Sequence, residues 1–170
     1  NICAELKKLG AKIEEIIIPE ANEKASLFPR IVGSEIISAF GIDRFKKNVD
    51  RMDPITGNRA KLGLNVSSFE YISAKQRVSE LEVIVNRHFM KYDALLSPTT
   101  VMQALDVNKA EIGKELHERS LLASANTQPV NIFGICAITY PIQKFATIQS
   151  QDILPIGLQI ICNKNEDEKA

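Results

Sequence analysis

The sequence is poor in the residues that metal centres and disulfide-rich proteins concentrate. It has no tryptophan, two histidines and three cysteines among 170 residues. Two histidines leave little material for an all-protein metal site. An odd number of cysteines does not make a disulfide framework, so we expect a reducing, cytoplasmic location.

The chain also lacks an excess of charge and a long apolar run. Twenty-one basic residues balance twenty-one acidic ones, so no surplus positive charge is available to neutralise a phosphate backbone. No apolar stretch approaches the roughly 20 residues that a bilayer span needs. We therefore expect neither a nucleic acid nor a membrane as partner. With 45% hydrophobic residues, the chain can bury a core and is not disordered.

Both ends of the sequence read as cuts within a longer polypeptide. The chain starts at Asn1 without an initiator methionine or a signal peptide, and it ends in a polar run over 163–170. The alternative is that disordered termini were trimmed. We expect residues 1–170 to form a single, partial domain.

The order of the elements predicted for the first third of the chain is typical of a layered α/β protein. Apolar spacing predicts a helix over 2–9, a β-branched strand over 11–18 and a helix over 21–41 that Pro29 starts, bends or interrupts. Residues 42–66 are charged and contain Asp-Pro and Gly-Asn pairs, which predict an irregular loop.

A long amphipathic helix is the clearest element of the second part. Ser67 and Glu70 have the spacing of a capping box, and the apolar stripe behind them predicts a helix to about Lys91. A short buried strand over 93–98 follows, and Pro98 terminates it.

The remaining segments complete the predicted sheet. A second capping box opens a short helix over 108–120, and a polar stretch follows over 124–128. Two β runs, 136–141 and 156–162, are expected to pair antiparallel across a long connection. The predicted fold class is α/β, with a mixed β-sheet flanked by helices.

Motifs that would place a reaction centre in this chain are absent. The sequence contains no Gly-x-Ser-x-Gly elbow, no Ser-x-x-Lys pair and no Gly-rich phosphate loop. It also contains no Cys-x-x-Cys and no His-Glu-x-x-His. We therefore assign no catalytic residue and no metal ligand, and we predict no cofactor.

Four side chains are individual site candidates. Arg59 is the candidate substrate-binding residue, because a guanidinium can grip a carboxylate with two parallel hydrogen bonds; the alternative is a solvated loop arginine. Cys136 could pair with either histidine, but its apolar surroundings favour a packed, unreactive thiol. His88 is expected at the edge of the core and His117 in solvent.

Three C-terminal segments resemble the amidase-signature family in order and spacing. Residues 92–99 are similar to the family's Asp-x-Leu-Leu-x-Pro-Thr, and 154–161 to its Leu-Pro-x-Gly-Leu-Gln ending. Residues 131–141 resemble its Asn-x-x-Gly-x-Pro-Ala segment, with Cys136 in place of the proline. Physically these segments read as scaffold: Gly157 permits close backbone approach, and a buried Gln159 would anchor a neighbouring loop.

The resemblance implies the C-terminal lobe of an α/β/α hydrolase that splits a C–N amide bond into a carboxylic acid and ammonia or an amine. The family's lysine, bridging serine and nucleophilic serine have no counterpart here, and the resemblance places them before Asn1. The chain is then expected to supply scaffold and part of the pocket for a small-molecule amide, and to be inactive alone.

Two alternatives stay open. The resemblance also covers the A subunits of glutamine-dependent tRNA amidotransferases, which use an arginine before a Leu-Gly pair and an aspartate before Asn-x-x-Gly. Arg59 stands near the first position, but Ser124 stands in the second, which favours a general amidase. The other alternative is a non-catalytic binding or scaffold subunit, which could self-associate through exposed apolar surface.

Overall fold

The computed structural model describes residues 2–104, 114–142 and 154–170, and for residues 114–117 it describes the backbone only. The helices in this part of the chain are α1 (Ile2–Lys8), α2 (Lys24–Phe40), α3 (Ile42–Asn48), α4 (Pro54–Lys61), α5 (Ser68–Phe89), α6 (Lys114–Ala123) and α7 (Thr127–Phe133). Short 3-10 helices cover Pro19–Glu23, Val49–Arg51 and Leu62–Asn65. The strands are β1 (Leu95–Pro98), β2 (Cys136–Pro141) and β3 (Gly157–Cys162).

Helix α5 begins where the capping box predicted. The Ser67 hydroxyl accepts the backbone N–H of Glu70 at 3.2 Å, and the Glu70 carboxylate accepts the backbone N–H of Ser67 at 2.9 Å. Each residue thus satisfies a backbone donor that the first turn of a helix leaves unpaired. The predicted helix is confirmed.

The main core lies where α2, α5 and α7 meet. Leu81 and Val85 of α5 have no exposed surface, and they pack in one cluster with Leu27 and Ile31 of α2 and Phe133 of α7. The apolar stripe of α5 recurs every three to four residues, so its members share one face of the helix and are buried together. A smaller cluster joins the C-terminal half of α2 to α3 and α4.

Two glycines let the backbones of α2 and the Leu62–Asn65 segment touch. A Cβ atom built on Gly63 would lie 2.3 Å from the carbonyl carbon of Gly33 and 2.5 Å from the backbone nitrogen of Ser34. A Cβ built on Gly33 would lie 2.8 Å from the backbone nitrogen of Gly63. No side chain fits in this crossing, which holds the C-terminal end of α4 against α2.

The described strands form one antiparallel sheet in the order β1-β3-β2. Residues Cys136–Pro141 run opposite Cys162–Gly157, which confirms the predicted antiparallel pairing of the last two β runs. Strand β1 adds to the other edge of β3, with Ser97 opposite Gln159. The α/β class is confirmed, and every strand contact in the described part is antiparallel.

The strand predicted over 11–18 is wrong. These residues have no regular secondary structure, and Ile17 is 84% exposed. A strand exists only when a neighbouring strand completes its hydrogen bonds, and no described strand lies beside this segment. The β-branched composition alone is insufficient.

The loop predicted over 42–66 is also wrong, because most of it is helical. Asp53 caps α4 by accepting the backbone N–H of Thr56 at 2.9 Å, and Pro54 occupies the first turn. Asp followed by Pro is a turn signal, but it is equally a helix start, since proline has no N–H to leave unpaired there.

The segment after α6 differs in part from the prediction. Only the first residues of the polar stretch 124–128 form a turn, and α7 begins at Thr127. The capping box predicted at 108–111 lies outside the described residues, whereas helix α6 continues to Ala123.

No single helix in the described ranges has both the length and the apolar composition to cross a membrane. One bent pair, 19–40 with 42–51, meets these two criteria jointly, with an angle of 97° between its parts.

Candidate functional site

A cleft of about 490 Å³ opens where the sheet meets α6, and we call it the sheet-end cleft. One wall comes from the end of β1 and the start of β3, through Thr99, Thr100 and Gly157. The opposite wall comes from α6, through Ser120 and Ala123. Further lining residues, mostly apolar, are Met102, Gln103, Ala104, Arg119, Thr139, Pro141, Pro155 and Ile156.

Gly157 closes the sheet side of the cleft, as the sequence predicted for a close approach. Its carbonyl accepts the backbone N–H of Thr99 at 2.9 Å, which extends the ladder beyond Pro98. A Cβ on Gly157 would lie 2.6 Å from Thr99 Oγ1 and 2.6 Å from Thr139 Cγ2. The side chains of Thr99 and Thr139 therefore occupy the space beside Gly157 that a side chain would need, and their Oγ1 atoms lie 3.3 Å apart.

Arg59 lies immediately behind the α6 wall. Its Nη2 atom donates to the Ser120 hydroxyl at 3.2 Å, across 61 residues of sequence. Its Nε atom is buried and has no hydrogen-bond partner among the described residues. The guanidinium therefore retains an unused hydrogen-bond donor one contact away from the cleft. A buried N–H without an acceptor is costly, so an acceptor that reached this atom would bind favourably.

Helix α4 sets the position of this guanidinium. Asp53 and Pro54 fix its first turn, and the contact of Gly63 with α2 fixes the segment that follows it. The pKa of Asp53 is held below its usual value, chiefly by the backbone N–H of Thr56 and to a smaller extent by the positive charge of Arg59. A carboxylate that stays ionised keeps the cap in place.

The structure brings Arg59 and Ser124 to the same end of α6. Ser124 lies one helical turn beyond Ser120 and donates to the Ser120 carbonyl at 3.3 Å. The Gln128 amide in turn donates to the Ser124 hydroxyl at 2.7 Å. Ser124 thus carries a neutral hydroxyl, with its own hydrogen bonds, near the cleft wall.

Ser120 is the residue that the sequence reasoning missed. Its position one helical turn before Ser124 was an available signal, because residues four apart share a face of a helix. The link from Asn126 to the sheet was also not foreseen: its amide donates to the Pro98 carbonyl at 2.7 Å. This bond ties the turn between α6 and α7 to the end of β1.

The other polar candidates lie away from the cleft. Cys136 donates through Sγ to the Asn163 carbonyl at 3.1 Å, and no hydrogen bond joins it to His88 in the part of the chain that is described. His88 is half-buried in the last turn of α5. The side chain of His117 lies outside the described residues. Gln159 is buried and accepts the Ser97 hydroxyl at 3.2 Å, so it anchors strand β1 rather than a loop.

Among the described residues, no group of three or more histidine, cysteine, aspartate or glutamate side chains could hold a metal ion.

The fold matches solved structures of an amidase and of an amidotransferase subunit over almost the full length of this chain. A crystal structure of an amidase superimposes with a TM-score of 0.79 at 21% identity, over 99% of this chain and 37% of the other. The A subunit of glutamyl-tRNA(Gln) amidotransferase from Thermotoga maritima superimposes with a TM-score of 0.69 at 25% identity, over 96% and 34%. The shared architecture is α/β.

The chain belongs to the Amidase family, whose sequence profile matches residues 1–170. It is 30% identical over 160 residues to 2-amino-5-chloromuconic acid deaminase of Comamonas testosteroni, which covers 92% of this chain and 33% of the relative. It is 27% identical over 188 residues to the A subunit of glutamyl-tRNA(Gln) amidotransferase from Lactococcus lactis, which covers 96% and 36%. The chain thus spans about a third of the length of these curated relatives. The resemblance predicted from the C-terminal segments is confirmed.

Proposed function

We propose that this chain is part of an amidase that hydrolyses a C–N amide bond to a carboxylic acid and ammonia or an amine. The family match over residues 1–170 carries the proposal. Relatives of this chain include a deaminase and an amidotransferase subunit, whose names place both reactions at C–N bonds. Residues 1–170 then form part of one amidase domain and supply its scaffold and one wall of its pocket.

The nucleophile of the proposed reaction lies in a part of the enzyme outside these 170 residues. The sequence has no Gly-x-Ser-x-Gly and no Ser-x-x-Lys arrangement that would activate a serine. In the proposed reaction, a serine attacks the amide carbonyl, the amine or ammonia leaves, and water cleaves the acyl-enzyme. The residues of this chain bind and orient the substrate.

The assay for this division of labour is ammonia release from simple aliphatic and aromatic amides. We expect turnover by the full-length polypeptide and none by the 170 residues alone. Turnover by the 170 residues alone would contradict the division. Absence of turnover by the full-length polypeptide, on every amide and with a folded protein, would instead favour a non-catalytic scaffold protein.

Arg59 is our proposed substrate-binding residue, acting on a carboxylate carried by the amide. Its Nη2 atom reaches the α6 wall of the sheet-end cleft and its Nε atom has an unused donor. A small rotation of Ser120 would admit a carboxylate that accepts from both atoms, in the parallel geometry that arginine favours. The mostly apolar lining of the cleft would hold the rest of the acyl group.

Replacing Arg59 by alanine tests this role. In full-length enzyme we expect KM for a carboxylate-bearing amide to rise by about tenfold or more, the usual effect of losing a charged hydrogen bond. KM for an uncharged amide of the same size should change little. Arg51→Ala, which removes an exposed arginine from the preceding 3-10 helix, is the matched control. Equal effects on both substrates would refute a carboxylate-binding role.

The amidotransferase alternative has less support. A hydroxyl at Ser124 lacks the charge that would pair with the α-ammonium group of an amino acid. If the full-length enzyme released ammonia only in the presence of tRNA and its partner proteins, this alternative would replace the general amidase.

We also propose a cytoplasmic location and a tendency to self-associate when the chain is isolated. Cys136 and Cys162 are free thiols, which a reducing compartment maintains. Ile138 and Tyr140 are 49% and 61% exposed on β2, which is at the edge of the sheet that the described strands form, and such apolar edges attract partners. Light scattering of the isolated chain tests the association, and a monomer at high concentration would contradict it.

A further inference from the structure

Two cysteines face each other across the sheet, away from the sheet-end cleft. Cys136 is the first residue of β2, Cys162 is the last residue of β3, and they are direct partners in the register of the two strands. Because opposed residues of an antiparallel pair project to the same side of the sheet, the two thiols lie on one face. Neither thiol is in a disulfide.

The hydrogen-bond pattern defines the type of this pair. Ile142 donates its backbone N–H to the Ile156 carbonyl at 2.8 Å, and these residues continue the same register. Hydrogen-bonded and non-hydrogen-bonded pairs alternate along the ladder, so Cys136 and Cys162 occupy a hydrogen-bonded pair. The Cα atoms of such a pair are about 5.5 Å apart, within the Cα range of disulfides. Its Cβ atoms lie at the wide end of about 4.5–5.5 Å, so the two strand ends must move together by about 1 Å for the bond to form.

The two thiols differ in their exposure to solvent, and this difference determines which of them a dissolved oxidant reaches first. Cys162 has no exposed surface, whereas Cys136 is partly exposed. Burial, with the neighbouring Cys136 as a second cause, raises the pKa of the Cys162 thiol. A dissolved oxidant therefore meets Cys136 first, and Cys162 is the resolving partner.

We propose that Cys136 and Cys162 form a reversible cross-strand disulfide when the protein meets a small-molecule disulfide such as oxidised glutathione. The Cys136 thiol loses its proton to solvent and attacks one glutathione sulfur, which breaks the S–S bond and expels the first glutathione as a thiolate that solvent protonates. The Cys162 sulfur then attacks the Cys136 sulfur and expels the second glutathione as a thiolate, which takes up the proton that Cys162 gives up. The two cysteines lose two electrons and two protons, and the glutathione disulfide gains them.

The cross-link acts on the junction between the sheet and α5. In the reduced pair, the Cys136 thiol donates to the Asn163 carbonyl, and the Asn163 amide donates to Asn86 of α5 at 2.6 Å. Lys164 adds an ion pair to Glu82 of the same helix at 3.2 Å. Oxidation removes the thiol donor to Asn163 and joins β2 covalently to β3, so this junction becomes dependent on redox conditions.

Peptide mapping of the folded protein after equilibration with oxidised glutathione tests the proposal. Trypsin cleaves after Lys144, between the two cysteines. We expect a linked peptide pair that contains Cys136 and Cys162, that is lighter by two hydrogen atoms than the sum of its parts, and that disappears on reduction. Recovery of Cys136 only as a glutathione adduct, or a link formed only in urea, would overturn the proposal.

Two cysteine-to-serine variants show whether the link involves Cys136 and whether a serine substitution by itself disturbs the protein. Cys136→Ser should abolish the link, while Cys3→Ser, the matched control, should retain it. In the wild type, we expect reduction of the oxidised protein to lower the melting temperature by about 5 °C, since a disulfide restrains the unfolded chain. Cys136→Ser should show no such shift; a shift of equal size in that variant would refute the cross-strand link.

Discussion

Replacing Gly63 by alanine tests the backbone crossing that positions Arg59. The added Cβ atom would lie 2.3 Å from the carbonyl carbon of Gly33, 2.5 Å from its oxygen and 2.5 Å from the backbone nitrogen of Ser34. All three neighbours are backbone atoms of α2, so no side-chain rotation relieves the overlap. Helix α2 and the Leu62–Asn65 segment must separate, and the end of α4 must move with that segment.

The sign of the change in the free energy of unfolding shows whether the steric overlap with α2 or the higher helix propensity of alanine dominates. Alanine favours helical backbone over glycine by about 1 kcal/mol, so without the crossing the substitution would be neutral or stabilising. Overpacking a tight contact costs about 1–3 kcal/mol and occasionally more. Because the overlap involves only backbone, we expect a loss of about 3 kcal/mol in the free energy of unfolding, together with a weaker Arg59 contact at Ser120.

Urea unfolding, followed by circular dichroism, measures this loss. Gly41→Ala is the control, since it adds the same methyl group where no atom lies within 4 Å. Gly41 has φ +80° and ψ 132°, a backbone conformation that side chains other than glycine rarely adopt, so that variant should lose about 1–3 kcal/mol from backbone strain alone. If Gly63→Ala were as stable as the wild type, the close crossing of α2 would be refuted.

Two further predictions concern the core and its ion pair. Leu81→Ala should lower the free energy of unfolding by about 3 kcal/mol, because Leu81 has no exposed surface. Val83→Ala, on the exposed side of α5, should change the free energy of unfolding by less than about 0.5 kcal/mol. Similar losses at both sites would contradict the assigned face of the helix. The pKa of Glu23 is lowered chiefly by its hydrogen bonds from Arg77, so its contribution to stability is full above the ordinary carboxyl pKa and is lost as the pH falls through the lowered value. The stability difference between wild type and Glu23→Gln, from urea titrations at pH 7, 5 and 3, should therefore shrink with falling pH; a difference that grows would refute the pair.

Local signals predicted the elements whose hydrogen bonds are complete within one segment. The capping box at Ser67 and Glu70 with the stripe behind it placed α5 correctly, because a helix satisfies its own backbone groups and needs only an apolar face to pack. The family resemblance came from the same kind of local information, in the segments around β1, β2 and β3. The choice of Arg59 rests on its residue type and its place before a Leu-Gly pair, and its role in binding remains a prediction.

Non-local information explains the elements that were missed. The β-branched segment 11–18 reads as a strand, but strand formation depends on a neighbour that the segment's own sequence does not specify. The region 42–66 reads as a loop because Asp53 and Pro54 start turns and helices alike. Its helical state is decided by packing against α2, where Phe45 and Ala60 are buried.

For this protein, the sequence alone determined the α/β class, the long helix α5, the antiparallel pairing of β2 with β3 and membership in the Amidase family. Only the tertiary structure decided that Arg59 meets Ser120, that Gly33 touches Gly63 and that Cys136 lies opposite Cys162. These contacts join residues 30 or more positions apart in two of the three cases and link separate elements in all of them. They arise from how helices and strands pack in space, and no local pattern of residues encodes the distance between two such surfaces.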